Sequence, residues 1–194
     1  MPISLKTGNL IDEDKFFKFC QINDGLEFER NCDGDIILLP FRTTNIGLLT
    51  AKIGAELAAW NKISDSGIIF GSSTGFTLSN KSVRSPDISW IINENWEALN
   101  NHQREVFAPI CPNFIIEILS LAEETNYLHN KMTEYIQCGA QLGWLIDYIN
   151  SSVYIYSQDK EVVFINSLKS NYQETLYSPD LYLIWNQLLI KIWT

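Results

Sequence analysis

The sequence predicts an α/β protein in which a mixed central sheet is flanked by helices and preceded by an N-terminal hairpin. Three observations carry this expectation. The run Phe114-Ile115-Ile116-Glu117-Ile118-Leu119 is apolar on both faces apart from one acid, the pattern of a strand covered on both sides. Leu49, Ile53, Leu57 and Trp60 recur at helical spacing within residues 45–61. Several short β-rich runs elsewhere are punctuated by Gly, Asn and Pro. A length of 194 residues suits one domain over 1–194, and 46% hydrophobic against 19% charged residues excludes a disordered chain.

Taken in order, residues 12–22 mix acidic and aromatic positions and form a short helix. Asp33-Gly34 stands between Leu26-Glu27-Phe28-Glu29 and Ile36-Ile37-Leu38-Leu39, so residues 27–40 form a hairpin with a tight turn. The long helix of 45–61 follows. Residues 66–92 read as three strands, at 67–70, 75–78 and 83–92, separated by Gly and Asn. Short surface helices fill 93–107, and Pro109 and Pro112 end that pattern. After the central strand a helix runs to about Cys138, with Gly139 as its stop signal. Strands are expected at 142–147, 153–156 and 162–165, with Asn150-Ser151-Ser152 as a turn, and a last helix at 180–189 after Pro179.

The chain carries 14 basic and 23 acidic residues, a net charge of −9. Affinity for phosphate backbones comes mainly from Lys and Arg, so this balance argues against a broad nucleic-acid face and leaves a local basic groove at most. Cys20, Cys32, Cys111 and Cys138 fit no CxxC or zinc-ligand spacing, and His102 and His129 are the only histidines. Reduced thiols in a soluble cytoplasmic protein are expected. Residues 1–11 lack a signal-peptide apolar stretch, and the apolar runs are too short to span a bilayer, so no membrane partner is expected.

Four ionisable residues stand out. In a strand over 83–92, alternation puts Val83, Ser85, Asp87 and Ser89 on one face and Arg84, Pro86, Ile88 and Trp90 on the other. Pro86 cannot donate to the ladder and suggests an edge or an irregular strand end, and an Asp after Pro is usually a solvated turn residue. Glu117 is harder to explain, because an ionised carboxylate in the most apolar strand is costly unless paired, hydrogen-bonded or bound to metal. Lys131 shares a helix face with Tyr127 and Tyr135, four residues either side; its ordinary reading is a lysine stretching out from the edge of a core face. Glu123 closes Ser120-Leu121-Ala122-Glu123, a capping-box spacing, and a helix cap is favoured over a third metal carboxylate. Two carboxylates and a lysine suit phosphodiester hydrolysis. The acids would hold Mg²⁺, with Mn²⁺ as a substitute, and the lysine would orient a water or stabilise developing negative charge.

The wording of the sequence carries a resemblance. Residues 71–91 read GSSTGFTLSNKSVRSPDISWI, 96–120 read WEALNNHQREVFAPICPNFIIEILS, and 131–147 read KMTEYIQCGAQLGWLID. These stretches, in this order, resemble the bacterial Uma family of restriction-endonuclease-like proteins within the PD-(D/E)xK nuclease superfamily. The likeness extends from the hairpin at Leu26 to the closing segment 176–185, roughly residues 26–187. It implies a restriction-endonuclease-like fold with Asp87 and Glu117 as metal ligands and Lys131 as the catalytic lysine, moved onto a helix. In the standard motif the lysine lies two residues after the glutamate, where this chain has Leu119. Leu121 and Glu123 stand where many members have Pro and Asp, and Asn45 and Lys52 where some have Glu, with Glu56 one turn beyond. Glu29, in the hairpin, is a further acidic candidate. The resemblance therefore implies a Mg²⁺-dependent endonuclease with DNA as its default substrate. A homodimer is expected, since double-strand cleavage by this fold commonly uses two copies. The altered acids and the −9 charge support an alternative: a catalytically inactive nuclease-fold protein serving as a dimeric binding module, with Trp90, Trp96 or Trp144 used for association. Hydrolysis of another phosphorylated substrate is a third reading.

Overall fold

The computed structural model describes residues 2–119 and 125–166. The chain begins with β1 (Ile3–Leu5), a 3₁₀ turn (Gly8–Leu10) and α1 (Glu13–Ile22). Asp12 caps α1 by accepting the Lys15 N–H, and Glu13 and Asp14 place negative charge at the helix's positive end. The hairpin is β2 (Phe28–Arg30) and β3 (Ile36–Leu38), paired antiparallel with Glu29 opposite Ile37. Its turn needs glycine twice over: Gly34 has φ +89°, and a Cβ there would lie 2.2 Å from the Gly8 carbonyl oxygen. β1 then adds to the outer edge of β3.

The long helix α2 (Thr44–Ser64) runs a little past its expected end and stops at Asp65, which is left-handed with φ 46°. Next come β4 (Gly67–Gly71), β5 (Phe76–Thr77), β6 (Val83–Arg84) and β7 (Ile88–Ile92), followed by the short helices α3 (Asn93–Glu97) and α4 (Asn101–Arg104). The central strand β8 (Phe114–Ile118) leads to α5 (Thr125–Gln137). β9 (Leu142–Asp147), β10 (Ser152–Ser157) and β11 (Val163–Asn166) complete the described elements.

These strands form two sheets where the sequence reading expected one. The larger sheet has the order β11-β10-β9-β8-β7-β4, and the smaller has β1-β3-β2-β6-β5. Among the described strands only β8 and β9 pair in parallel, because the crossover through α5 joins them; every other named strand pair is antiparallel. The run 83–92, expected as one strand, is two. Ser85-Pro86-Asp87 interrupts it, so β6 belongs to the small sheet and β7 to the large one. Pro86 lacks a ladder donor, and the Ser85 N–H turns instead to the Glu29 carboxylate, 2.9 Å away. Asp87 thus sits where the chain passes from one sheet to the other.

All five residues of β8 are buried. Phe114, Ile116 and Ile118 pack with Ile46, Leu49, Ile53 and Leu57 of α2 on one face of the large sheet. Ile115 packs with Leu128, Met132 and Tyr135 of α5 on the other. Strand alternation therefore turns Glu117 toward α5. Trp144 is buried against Phe114 at 4.9 Å between ring centroids, which corrects its expected use as an association residue. The four cysteines are free. Among the described residues no helix is long and apolar enough to cross a membrane. Glu123 and the helix expected at 180–189 lie outside the described residues.

Candidate active site

A buried charge cluster lies between the two sheets and under α5. β2 supplies Glu29, β6 Arg84, the sheet-switching loop Asp87, β8 Glu117, and successive turns of α5 supply Tyr127, Lys131, Glu134 and Tyr135. The placement follows from local patterns. Ile88 pairs with Ile116, so one further step in that register brings Asp87 opposite Glu117. The spacing of Tyr127, Lys131 and Tyr135 stacks them along one helix face.

Glu29 is the anchor. Its Oε1 takes the Lys131 ammonium at 2.7 Å and the Ser85 N–H at 2.9 Å. Its Oε2 takes Arg84 Nη1 at 3.0 Å and the Tyr127 hydroxyl at 3.2 Å. Arg84 also grips Glu134 Oε2 at 2.6 Å, and Glu134 Oε1 accepts from Asn80 Nδ2 at 2.7 Å. Burial works against the Glu29 charge, yet Lys131 and Arg84 pull its pKa down to about 2.

Glu117 is held differently. Its Oε1 takes Lys131 Nζ at 2.8 Å and the Tyr135 hydroxyl at 3.1 Å. Its Oε2 is buried and has no hydrogen-bond partner among the described residues. Burial, with the Asp87 and Glu29 charges adding to it, raises the Glu117 pKa to about 7 against the pull of Lys131. The Lys131 pKa is raised: burial opposes its charge, but Glu117 and Glu29 outweigh that. Asp87 reaches across to β8, where its Oδ2 accepts the Ile118 N–H at 2.8 Å, and its Oδ1 meets Arg42 Nη2 at 2.8 Å.

The fold therefore brings Asp87, Glu117, Lys131 and Glu29 together. Glu56 is not brought to them, because it lies on α2, across the large sheet from Glu117. Glu29 is spent on two cations rather than standing as an open acid. Sequence reasoning missed Arg42, Arg84 and Glu134. Arg84 had been placed on the strand face away from Asp87, an error that follows from treating 83–92 as unbroken. Glu134 carried a usable signal, since it lies three residues after Lys131 on the same helix face. Arg42 carried none, being a loop residue 45 positions from the aspartate it meets.

Among the described residues no group of three or more His, Cys, Asp or Glu side chains is placed to hold a metal. Asp87 and Glu117 offer two carboxylates, hard oxygen donors of the kind Mg²⁺ and Mn²⁺ take alongside water and substrate oxygens. The Glu117 Oε2, which has no partner among the described residues, is what such an ion would satisfy, so the residues present fit it.

Comparison with known proteins bears on most of the chain. A crystal structure at 1.96 Å described as "a putative nuclease belonging to DUF820", from Anabaena variabilis ATCC 29413, matches with a TM-score of 0.72. The match covers 94% of this chain and 99% of that one at 19% identity, which establishes a shared restriction-endonuclease-like fold. No curated protein matches. The model of the Uma2 family, described as "Putative restriction endonuclease", matches residues 13–186. With two sheets meeting over a buried acidic cluster and a family match spanning nearly all of its length, the chain belongs to the Uma2 family.

Proposed function

We propose that this protein is a metal-dependent endonuclease that hydrolyses nucleic-acid phosphodiester bonds, with Asp87 and Glu117 holding Mg²⁺ or Mn²⁺ and Lys131 assisting. The observation that carries the reading is Glu117: a carboxylate in the central strand, beside Asp87, with one oxygen on Lys131 and the other without a partner among the described residues. A bound ion would lower the pKa of a coordinated water and neutralise charge on the phosphate. The protein's own groups do the positioning. The Ile118 N–H fixes the Asp87 carboxylate, and the Tyr135 hydroxyl and Lys131 fix that of Glu117. Lys131, with its raised pKa, stays protonated and acts as a hydrogen-bond donor and local positive charge rather than as a base. Glu29 holds that ammonium in place from the opposite side. DNA is the default substrate, and in the same reading a homodimer works in the cytoplasm, each copy a single domain with its own site.

One observation favours a second reading, an inactive dimeric binding module. Lys131 is buried and shared between two carboxylates, and Leu119 occupies the position of the usual motif lysine. Mn²⁺ and Mg²⁺ calorimetry on the wild type, Asp87→Ala and Glu117→Ala, followed by a plasmid and RNA cleavage screen, decides between them. The nuclease reading expects binding that both substitutions abolish, and cleavage that Lys131→Met reduces by about a hundredfold or more. Folded wild type that takes up no metal at millimolar concentration would sink the nuclease reading and favour the binding module.

A further inference from the structure

Among the described residues three cations surround the cluster, and they are not equivalent. Lys131 bridges Glu29 and Glu117, and Arg84 bridges Glu29 and Glu134; their side chains are 2% and 7% exposed. Moving Lys131 would strand two buried carboxylates, and moving Arg84 would strand the buried Glu29 and the partly buried Glu134. Arg42 is 19% exposed and belongs to the loop between β3 and α2, next to the exposed Phe41. Resting on the nuclease reading, we infer that Arg42 is a charge-exchange residue. It neutralises Asp87 while the metal is absent, and passes to a substrate phosphate oxygen when Asp87 takes up the ion.

Four features support the exchange. The two Asp87 oxygens have separate tasks: Oδ2 is held by the Ile118 N–H, so the carboxylate keeps its orientation after Oδ1 loses Arg42. A guanidinium and a divalent cation repel each other, so they compete for that oxygen. A displaced guanidinium is well matched to a phosphate, whose oxygens it can meet in a fork. The displaced side chain also has room. A cavity of about 570 Å³ opens beside it, with Phe28, Leu39, Phe41, Arg42, Ser85 and Phe107 among its walls. Ser85 lies two residues from Asp87, so a phosphodiester chain entering from this side meets Arg42 next to the acids. Asp24 and Glu27 also line the cavity, but both are exposed and solvent screens them.

The test is Mn²⁺ calorimetry on the full chain as wild type, Arg42→Ala and Arg42→Gln, with circular dichroism to establish folding. Removing the competing cation is expected to tighten Mn²⁺ binding by about fivefold. The same variants are expected to lose about a hundredfold in cleavage of a DNA substrate at saturating Mn²⁺. Tighter metal binding together with slower cleavage is a pairing that a merely structural Arg42 would not produce. Unchanged or weaker Mn²⁺ binding in the folded variants overturns the exchange. If the wild type still binds Mn²⁺ and Asp87→Ala does not, that result overturns the Arg42 inference alone. If Mn²⁺ binds to neither the wild type nor the Arg42 variants, both it and the nuclease reading fall. Arg42→Gln keeps most of the side chain's length and carries the test should Arg42→Ala not fold.

Discussion

Glu29 and Glu117 are the same residue type, both fully buried, and both touch the same lysine, yet burial leaves them in opposite states. Glu29 has donors on both oxygens and a pKa of about 2. Glu117 has donors on one oxygen among the described residues and a pKa of about 7. The difference teaches that burial alone does not mark a functional acid. A saturated carboxylate is a structural anchor, whereas one left short of donors, beside a second carboxylate, is a place for a cation.

Substitution offers the strongest way to break this contrast. Glu29→Gln should destabilise the fold by about 3–5 kcal/mol, because it strands Lys131 and Arg84 in the interior. Glu117→Gln should stay within about 1 kcal/mol of the wild type, because it removes a charge that the site only half compensates. Urea unfolding above neutral pH measures both, and similar losses would show that the two acids play one role.

Acidity sharpens the comparison. The folded pKa of Glu29 lies below its ordinary 4.5, so its stabilisation is complete above about 4.5 and disappears as pH falls toward about 2, a loss of about 3 kcal/mol. The folded pKa of Glu117 lies above 4.5, so its contribution is complete below that value and disappears as pH rises through about 7. Metal should reverse this upper limb. An ion on Glu117 displaces a proton, so Mn²⁺ affinity should rise about tenfold per pH unit up to about 7 and then level off. Calorimetry across that range checks it, and a flat profile would contradict the Glu117 assignment.

The smallest effect concerns Tyr135. Tyr135→Phe removes the hydroxyl donated to Glu117 Oε1 and should cost about 1 kcal/mol of stability, read by thermal unfolding. It should also move the midpoint of the Mn²⁺ pH profile upward, because a carboxylate that loses a donor holds its proton to higher pH.

Much of this was legible in the chain. The hairpin turn, α2 and β8 follow from a Gly needed at positive φ, a helical apolar period and an unbroken apolar run. Glu117 was conspicuous because an acid in such a run demands a reason. Arg84 and Asp87 were misread as members of one strand: Pro86 suggested an irregular strand end, but a switch between sheets at Ser85-Pro86 emerged only with Glu29, far away in the hairpin, taking the Ser85 N–H. Glu123 and the region after residue 166 lie outside the described residues.

By itself the sequence determined the kinds of layers and the suspicion attached to three ionisable residues, because periodicity and the cost of burying charge are local properties. Only the tertiary structure decided which carboxylate is saturated by the described residues and which is not. That outcome depends on where β2, β6, β8, α5 and the loop carrying Arg42 cross, and therefore on donors brought from as far as 98 positions away, as Tyr127 is to Glu29. A pKa belongs to that assembled set of neighbours, and the same glutamate can be anchor or candidate ligand according to who reaches it.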